Sequence, residues 1–410
     1  MIERAHEIYP LAYAGTGTLL DDREAEIVRE VLTSGESLSQ GPWRALFEAQ
    51  FAQRIGTRYA FSATSGTVAL ELAIHLLDLE PGDEVIVTPQ TFQATIQPLL
   101  DYDVVVRFAD IRPTTMNIDP DSVADLINER TRAILLVHYG GLPAEMDRIM
   151  ELARRHDLLV LEDAAHALGG SYRGRAPGQL GDIACFSFHS NKNITTLGEG
   201  GMITFDRADW ADRLERLRSN ESDADFEPAN PFFGDFSAPP PGAIFVGQGY
   251  THRCVGWRRA GTNATLSEPA AAVGTVQLEK LPQMVQRRQQ IAARMTEVLR
   301  AVEGVELIEV PDDVVHPYHL FTFLARPESG VDRDRLILGL WEQGVETRLR
   351  YFPLHLTPEW RARGHEYGEC PVAERLWFTR QVNLPCQPSL TDEQTDYLVT
   401  ALMRALAHCG

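Results

Sequence analysis

Lysine is nearly absent from this chain. It occurs only at positions 192 and 280, so 36 of the 38 basic residues are arginine. A guanidinium stays protonated and serves wherever bare positive charge is enough. The two lysines are therefore candidates for work that needs an amine able to lose its proton, and imine formation is such work. Cysteine is scarce too. Residues 185, 254, 370, 386 and 409 lie far apart and include no C-x-x-C pair, which argues against a disulfide framework or a structural zinc site and suits a reducing cytoplasm. No metal site is expected. No apolar run approaches the roughly 18 residues of a membrane span. The first ten residues lack the apolar core of a secretory signal, so a cytoplasmic protein free of membranes is expected. Positive charge is in deficit overall, with a formal net charge of −20. Such a field repels a nucleic-acid backbone, yet a local nest of arginine and backbone N–H groups could still hold a phosphorylated small molecule.

What is present is alternation. Tyr59–Ala63, Glu84–Thr88, Val104–Ala109, Ala133–His138, Leu158–Glu162, Ile183–Phe188 and Gly201–Phe205 read as short strands, most of them near-continuous apolar runs of the kind covered on both faces. Helical spacing falls between them, at Asp22–Thr33, after Pro143 through Ala153, and at Asp209–Leu217. This order predicts an α/β fold with a mostly parallel sheet. A Pro-, Gly- and Asp-rich excursion covers 221–249; it reads as a functional loop or as a disordered insert. A long helix is expected over Ser267–Leu299, with Pro282 a candidate kink, followed by a smaller α+β domain with strands near Val305–Val310 and Tyr318–Ala325 and helices near Arg333–Gln343 and Thr391–Ala407. The expected division is 1–260, a large domain with an N-terminal arm, and 261–410, the linking helix and small domain. Gly15-x-Gly17 is not a dinucleotide fingerprint, since no strand precedes it and the third glycine is missing.

Three segments carry candidate chemistry. Ser65-Gly66-Thr67 follows a strand and opens a helix, Val68–Leu77. Its N–H groups, helix dipole and two hydroxyls suit a phosphate, and equally a plain N-cap. Asp163 stands at the carboxyl end of an apolar strand, where open α/β sheets place ligands. It could pair with a cationic ring nitrogen or cap a helix. Lys192 follows another strand end, 29 positions after Asp163, and precedes the glycine-rich return Gly198-Glu199-Gly200-Gly201. A lysine in a turn is ordinarily a solvated residue; its rarity here and its place at a strand end favour a reactive amine. Ser187, five residues earlier, could reach the same phosphate as Ser65 and Thr67.

These segments together resemble the DegT/DnrJ/StrS family of sugar aminotransferases. The resemblance is carried by Thr64–Leu70, by Glu162–Gly169, by Phe186–Asn193 with Gly198–Gly201, by Gly261–Glu268 with Gln277–Leu281, and by Arg350–His355, and it runs from about residue 17 to 405. It implies the fold type I architecture of pyridoxal-phosphate (PLP) enzymes and a homodimer whose active sites use both subunits. It implies a Schiff base between PLP and Lys192, Asp163 opposite the pyridine nitrogen, and a phosphate cup of Ser65, Gly66, Thr67 and Ser187. Phe92 matches the aromatic that stacks on the ring; its alternative is a core aromatic. His166 matches a position near the ring hydroxyl, and Asn263 an asparagine that reaches the neighbouring subunit's phosphate. His189, Arg348, Tyr351 and His355 fall on the substrate side. Arg258, Arg259, Arg348 and Arg350 are candidates for a diphosphate, or ordinary surface charge. Lys280 reads as a surface residue on a helix.

The implied activity moves an amino group from glutamate or glutamine to a keto sugar, nucleotide-linked, or to a keto cyclitol. A PLP-dependent sugar dehydratase or deoxygenase is the first alternative, and Lys192 argues against it because relatives of that kind carry histidine there. A non-catalytic regulatory protein is the second. The chain departs from the family at Ala264 and Thr265, where relatives often show an aromatic and a basic residue, at Pro269, and in the length of 221–249. These departures touch the substrate side.

Overall fold

The computed structural model describes residues 10–220, 224–226, 254–256 and 261–409. Seven strands form its main sheet: β1 Tyr59–Ala63, β2 Glu84–Val87, β3 Val105–Phe108, β4 Thr131–Val137, β5 Leu159–Asp163, β6 Ile183–Ser187 and β7 Gly201–Phe205. Their spatial order is β1-β7-β6-β5-β4-β2-β3. All neighbours are parallel except β7, which runs antiparallel to both β1 and β6. The mixed α/β architecture expected from the sequence is present.

Both faces of the sheet are covered, which is why its strands read as continuous apolar runs rather than as alternation. The principal helices are α1 Asp22–Thr33, α2 Pro42–Ile55, α3 Gly66–Leu76, α4 Met146–His156, α5 Glu268–Leu299, α6 Arg333–Glu342 and α7 Asp392–Ala407. Helix α2 lays Phe47 and Phe51 against Phe186 and Phe188, with the Phe51 and Phe186 rings 4.9 Å apart. Burying each ring contributes roughly 1.5–3 kcal/mol. On the same face Ile134 and Val160 pack with Ile149 and Ala153 of α4. Helix α3 covers the opposite face; Ala69, Leu70, Ala73 and Ile74 are buried there.

Helix α2 has no capping side chain of its own at Gly41. Instead the buried Glu268, at the start of α5, accepts from the N–H groups of Trp43 (2.7 Å) and Arg44 (3.1 Å). A carboxylate at a helix N-terminus also answers the macrodipole. Pro269 sits in the first turn of α5, where a missing N–H costs nothing, so the departure noted in the sequence does not interrupt the helix. Pro282 is likewise accommodated within a helix that runs continuously to Leu299.

A second core lies under the sheet β8 Val305–Leu307, β9 Phe321–Ala325 and β10 Gln381–Leu384, ordered β8-β9-β10 and all antiparallel. It gathers Phe323, Leu336, Leu340, Leu398 and Leu402 with the last turns of α5. Residues Arg207–Thr265 form a compact unit of their own, with the helix Ala208–Ser219 and an antiparallel pairing of Ala224–Phe226 with Cys254–Gly256. The rest of the excursion 221–249 lies outside the described residues, as do Arg258 and Arg259. Cys185, Cys370, Cys386 and Cys409 are buried free thiols. No helix among the described residues is long and apolar enough to cross a membrane.

Candidate active site

Two neighbouring strands end side by side, and their ends define the site. In β5 and β6, Asp163 is paired with Cys185, and Ser187 follows two residues on. Strand alternation sends Asp163, Cys185 and Ser187 to the face covered by α3. Glu162 therefore leaves on the other face. It is fully buried there and accepts from the N–H groups of Gly178 (3.0 Å), Leu180 (2.9 Å) and Gly181 (2.6 Å) and from His138 Nε2 (2.7 Å). The N–H of Ala144 donates to His138 Nδ1, so the imidazole proton is on Nε2, aimed at Glu162.

After β6 the chain makes the turn that carries Lys192, whose N–H donates to His189 O at 2.8 Å. It returns through Gly198 and Gly200, whose carbonyls accept from Ser190 and Phe188. Opposite this turn, Ser65 caps α3 by accepting from the N–H of Val68 at 3.2 Å. The N–H groups of Gly66 and Thr67, in the first turn, have no partner four residues back inside the helix. A Cβ at Gly66 would stand 2.7 Å from Ser187 Cβ, so only glycine lets the helix start come this close to the end of β6.

The space enclosed is a cavity of about 410 Å³. The α3 start, Ser187 and Asn191 line one side; Asp163, His166 and Lys192 line the floor; Phe92, Arg350 and Tyr351 stand at the rim. Asp163 is held firmly. Thr95 Oγ1 donates to its Oδ2 at 2.6 Å, the N–H of Ala165 donates to its Oδ1 at 3.0 Å, and Thr91 in turn lies 2.6 Å from the Thr95 hydroxyl. His166 Nε2 meets Tyr351 Oη at 3.1 Å, and its ring stacks on His319 with centroids 4.3 Å apart. His319 Nδ1 reaches Asn193 Oδ1 at 3.2 Å. Because the Asn193 amide nitrogen is engaged by Leu168 O, its oxygen is the acceptor and His319 the donor.

Burial sets the electrostatics. Enclosure pushes the Lys192 amine down to about 8, opposed by the Asp163 carboxylate and assisted by Arg350. About a tenth of the amine is thus neutral at pH 7 and half near pH 8, and the neutral form is the one that attacks a carbonyl. Burial, then the charges of Lys192 and Arg350, hold His166 well below the ordinary histidine range, so it stands neutral beside them. Burial raises the Tyr351 phenol.

An amine that loses its proton more readily than a free lysine, a fixed carboxylate and a helix N-terminus meet in one cavity. A family comparison decides which chemistry this is: residues 18–403 match the DegT/DnrJ/EryC1/StrS aminotransferase family. The chain belongs to that family. It is similar to the GDP-perosamine synthase of Escherichia coli O157:H7, 32% identical over 93% of this chain and 95% of that one. Among solved structures it is similar to the aminotransferase TlmJ from Streptoalloteichus hindustanus, 29% identical with a TM-score of 0.83 over 97% of this chain and 99% of that one. It is also similar to DesV of S. venezuelae, solved in complex with a ketimine intermediate, 32% identical with a TM-score of 0.79 over 93% and 94% of the two chains.

As a DegT/DnrJ/EryC1/StrS protein the chain is a PLP-dependent aminotransferase, and the residues present fit that cofactor. The glycine-walled cradle between α3 and β6 suits its phosphate, the amine and carboxylate share the floor, and the His166 Nδ1 is buried without a partner. Ser65, Gly66, Thr67, Phe92, Asp163, His166, Ser187, His189, Lys192 and Tyr351, all singled out in the sequence, line the cavity. Arg348 and His355 do not. Arg348 pairs with Glu346 and lies over the Tyr13 ring. His355 is fully buried, with Nε2 2.8 Å from Glu374. Asn263 belongs to the Arg207–Thr265 unit, where it is exposed and its backbone bridges to Ser219. Sequence reasoning missed Thr91, Thr95, Asn191 and Glu199. Thr91 and Thr95 flank Phe92 in one short motif, which was the available signal. Lys280 is not the surface residue expected: its side chain is 9% exposed and its ammonium lies 2.8 Å from both Asp21 and Glu24.

Proposed function

We propose that the protein transfers an amino group from glutamate or glutamine to the ketone carbon of a nucleotide-linked keto sugar or a keto cyclitol, in the cytoplasm, with PLP bound through Lys192. The observation that carries this reading is the Lys192 amine, lowered to about 8 and lining one cavity with Asp163. When bound, PLP supplies a cationic ring that draws electrons from the substrate carbon. Asp163, held in place by Thr95 and the Ala165 N–H, is the carboxylate that would pair with that ring's nitrogen. The start of α3 and Ser187 hold the phosphate through N–H and hydroxyl groups. Lys192, its amine free, would carry a proton between the donor's α-carbon and the carbon of the cofactor that it had held, as general base and then acid. Arginine could do neither. Phe92 and Tyr351, with rings 6.1 Å apart, bound the cavity rim and limit water.

The nucleotide is supported by similarity to GDP-perosamine synthase and by Arg350 at the cavity. The reading includes a homodimer with Asn263 offered to the other subunit; the exposure of that side chain supports it. It retains the division into a large domain, 1–260, and a linking helix with a small domain, 261–410; the core beneath the three-stranded sheet supports the small domain.

Two measurements test the proposal. Borohydride treatment of the PLP-loaded protein, followed by peptide mass spectrometry, is expected to find a phosphopyridoxyl group on Lys192; an adduct elsewhere overturns the site. Incubation with a nucleoside-diphosphate 4-keto-6-deoxyhexose and glutamate or glutamine is expected to yield an amino sugar and the matching 2-keto acid. Consumption of the sugar without gain of nitrogen would replace transamination with dehydration or deoxygenation.

A further inference from the structure

The segment Leu11–Asp21 has no regular structure, yet it touches the parts on which the reaction depends. At one end Leu11 forms a bridge with Val345, with Leu11 N–H to Gly344 O at 3.0 Å and Glu346 N–H to Leu11 O at 3.0 Å. The Tyr13 ring lies beneath the guanidinium groups of Arg348 (4.5 Å) and Arg350 (5.8 Å), and Arg350 is at the cavity. In the middle, Gly17 crosses the turn of Lys192. Its N–H donates to Ser190 O at 2.7 Å, and its carbonyl accepts from Arg288 at 2.6 Å. A Cβ on Gly17 would fall inside contact distance of Asn191 O and 2.6 Å from Lys192 O, both backbone atoms that cannot swing aside. At the other end the arm is clamped to α5. Thr18 donates to Gln277 at 2.5 Å, Gln277 donates to Leu19 O and Glu24, and Lys280 binds Asp21 and Glu24.

We propose that this arm is a positioning strap for Lys192, with Gly17 and Lys280 as positioning residues for the reaction. The turn of Lys192 has the sheet on one side and the arm on the other. Gly17 is glycine because the strap must lie directly on the turn's backbone, and Lys280 is lysine because a compact ammonium with three donors serves three carboxylate oxygens in an almost closed space. The two lysines of this chain are thus linked: one does the chemistry, and the other fastens the segment that seats it. Glu24, which Lys280 neutralises, also caps α1, so the strap and the first helix are fixed by the same contact.

The inference rests on the proposed role of Lys192, and the low lysine count gives a test that separates the two. Reductive methylation with ¹³C-formaldehyde of the cofactor-free full-length protein labels only Lys192, Lys280 and the α-amino group, and their NMR signals can be titrated. In the wild type the Lys192 signal is expected to titrate near 8; a value near the free-lysine pKa of about 10.4 would sink the role assigned to that residue. In Gly17→Ala the turn is displaced and water admitted, so the Lys192 midpoint is expected to rise, with kcat lowered by roughly tenfold or more and KM for the amino donor little changed. Gly15→Ala, two residues earlier in the same arm and with open space around its Cβ, is expected to match the wild type in both readouts. Should Gly17→Ala fail to fold, Lys280→Met serves: it is expected to raise the same midpoint, with Lys280→Arg partly restoring it. A folded Gly17→Ala with an unshifted midpoint, or equal effects at Gly15 and Gly17, overturns the strap, as does an unshifted Lys280→Met.

Discussion

Glu162 and Asp163 are consecutive on β5 and leave opposite faces of the sheet. Asp163 enters the cavity and takes the Thr95 hydroxyl at 2.6 Å, while Glu162 gathers three backbone N–H groups and His138 on the far side. The alternation of a single strand thus separates a cavity-facing acid from a structural one. Glu162→Gln puts an NH2 where an oxygen accepted, leaving a buried donor or acceptor unsatisfied. A loss of about 2–4 kcal/mol is expected, read from denaturant unfolding, while the folded fraction keeps its PLP absorbance. Asp163→Asn should do the reverse, preserving the fold and abolishing turnover.

Removing the hydroxyl behind Asp163 gives a finer test. In Thr95→Val one carboxylate oxygen loses its donor and the Thr91 hydroxyl loses its partner. Replacing a hydrogen bond to a charged group costs about 1.5–3 kcal/mol. Cofactor affinity is therefore expected to fall by roughly tenfold to a hundredfold, measured by absorbance titration of the cofactor-free protein. An unchanged affinity would mean that Thr95 does not help Asp163 to hold the ring.

Much of the large sheet was legible because its strands are apolar on both faces and short, and because their polar ends stand out against that background. Tyr59–Ala63 and Gly201–Phe205 were placed to the residue. Asp163, Ser187 and Lys192 stood out for the same reason, since each ends or follows a strand, and all three line the cavity. Thr95 escaped because it acts on a residue 68 positions away from within a short 3-10 turn, and no local period marks such a pairing. Helix α2 escaped because its start is capped by Glu268, 225 positions from Trp43. Lys280 was misread because its partners, Asp21 and Glu24, lie in another helix start far along the chain. His355 was placed by motif near the substrate, but a ring of fixed direction follows its carboxylate, and Glu374 draws it inward.

That last contact separates two roles for His355. Its Nε2 meets Glu374, which also accepts from the Gly368 N–H, and its ring faces Phe108 with centroids 5.6 Å apart. His355→Ala is expected to cost about 2–4 kcal/mol of stability by opening a cavity and stranding a buried carboxylate. KM for the keto acceptor is expected to stay within about twofold, because a lost substrate contact would raise it instead. Unfolding curves and acceptor titrations on the same preparation distinguish the two.

The Lys192 amine makes stability depend on pH in a definite direction. Its folded value is about 8, against about 10.4 in an unfolded chain. Between these values the unfolded state binds more protons, so this group makes the cofactor-free protein more stable as pH rises through that window, and below about pH 8 the fold bears the whole cost of an enclosed ammonium. Lys192→Met removes that cost. At pH 7 the cofactor-free variant is expected to be more stable than the wild type by about 3 kcal/mol, and the gap should narrow steadily towards pH 10, while the variant forms no borohydride-trapped adduct. Denaturant unfolding of both proteins at pH 7 and pH 10 measures the difference of differences directly. A gap independent of pH would place the amine in open solvent and remove the reason for its reactivity.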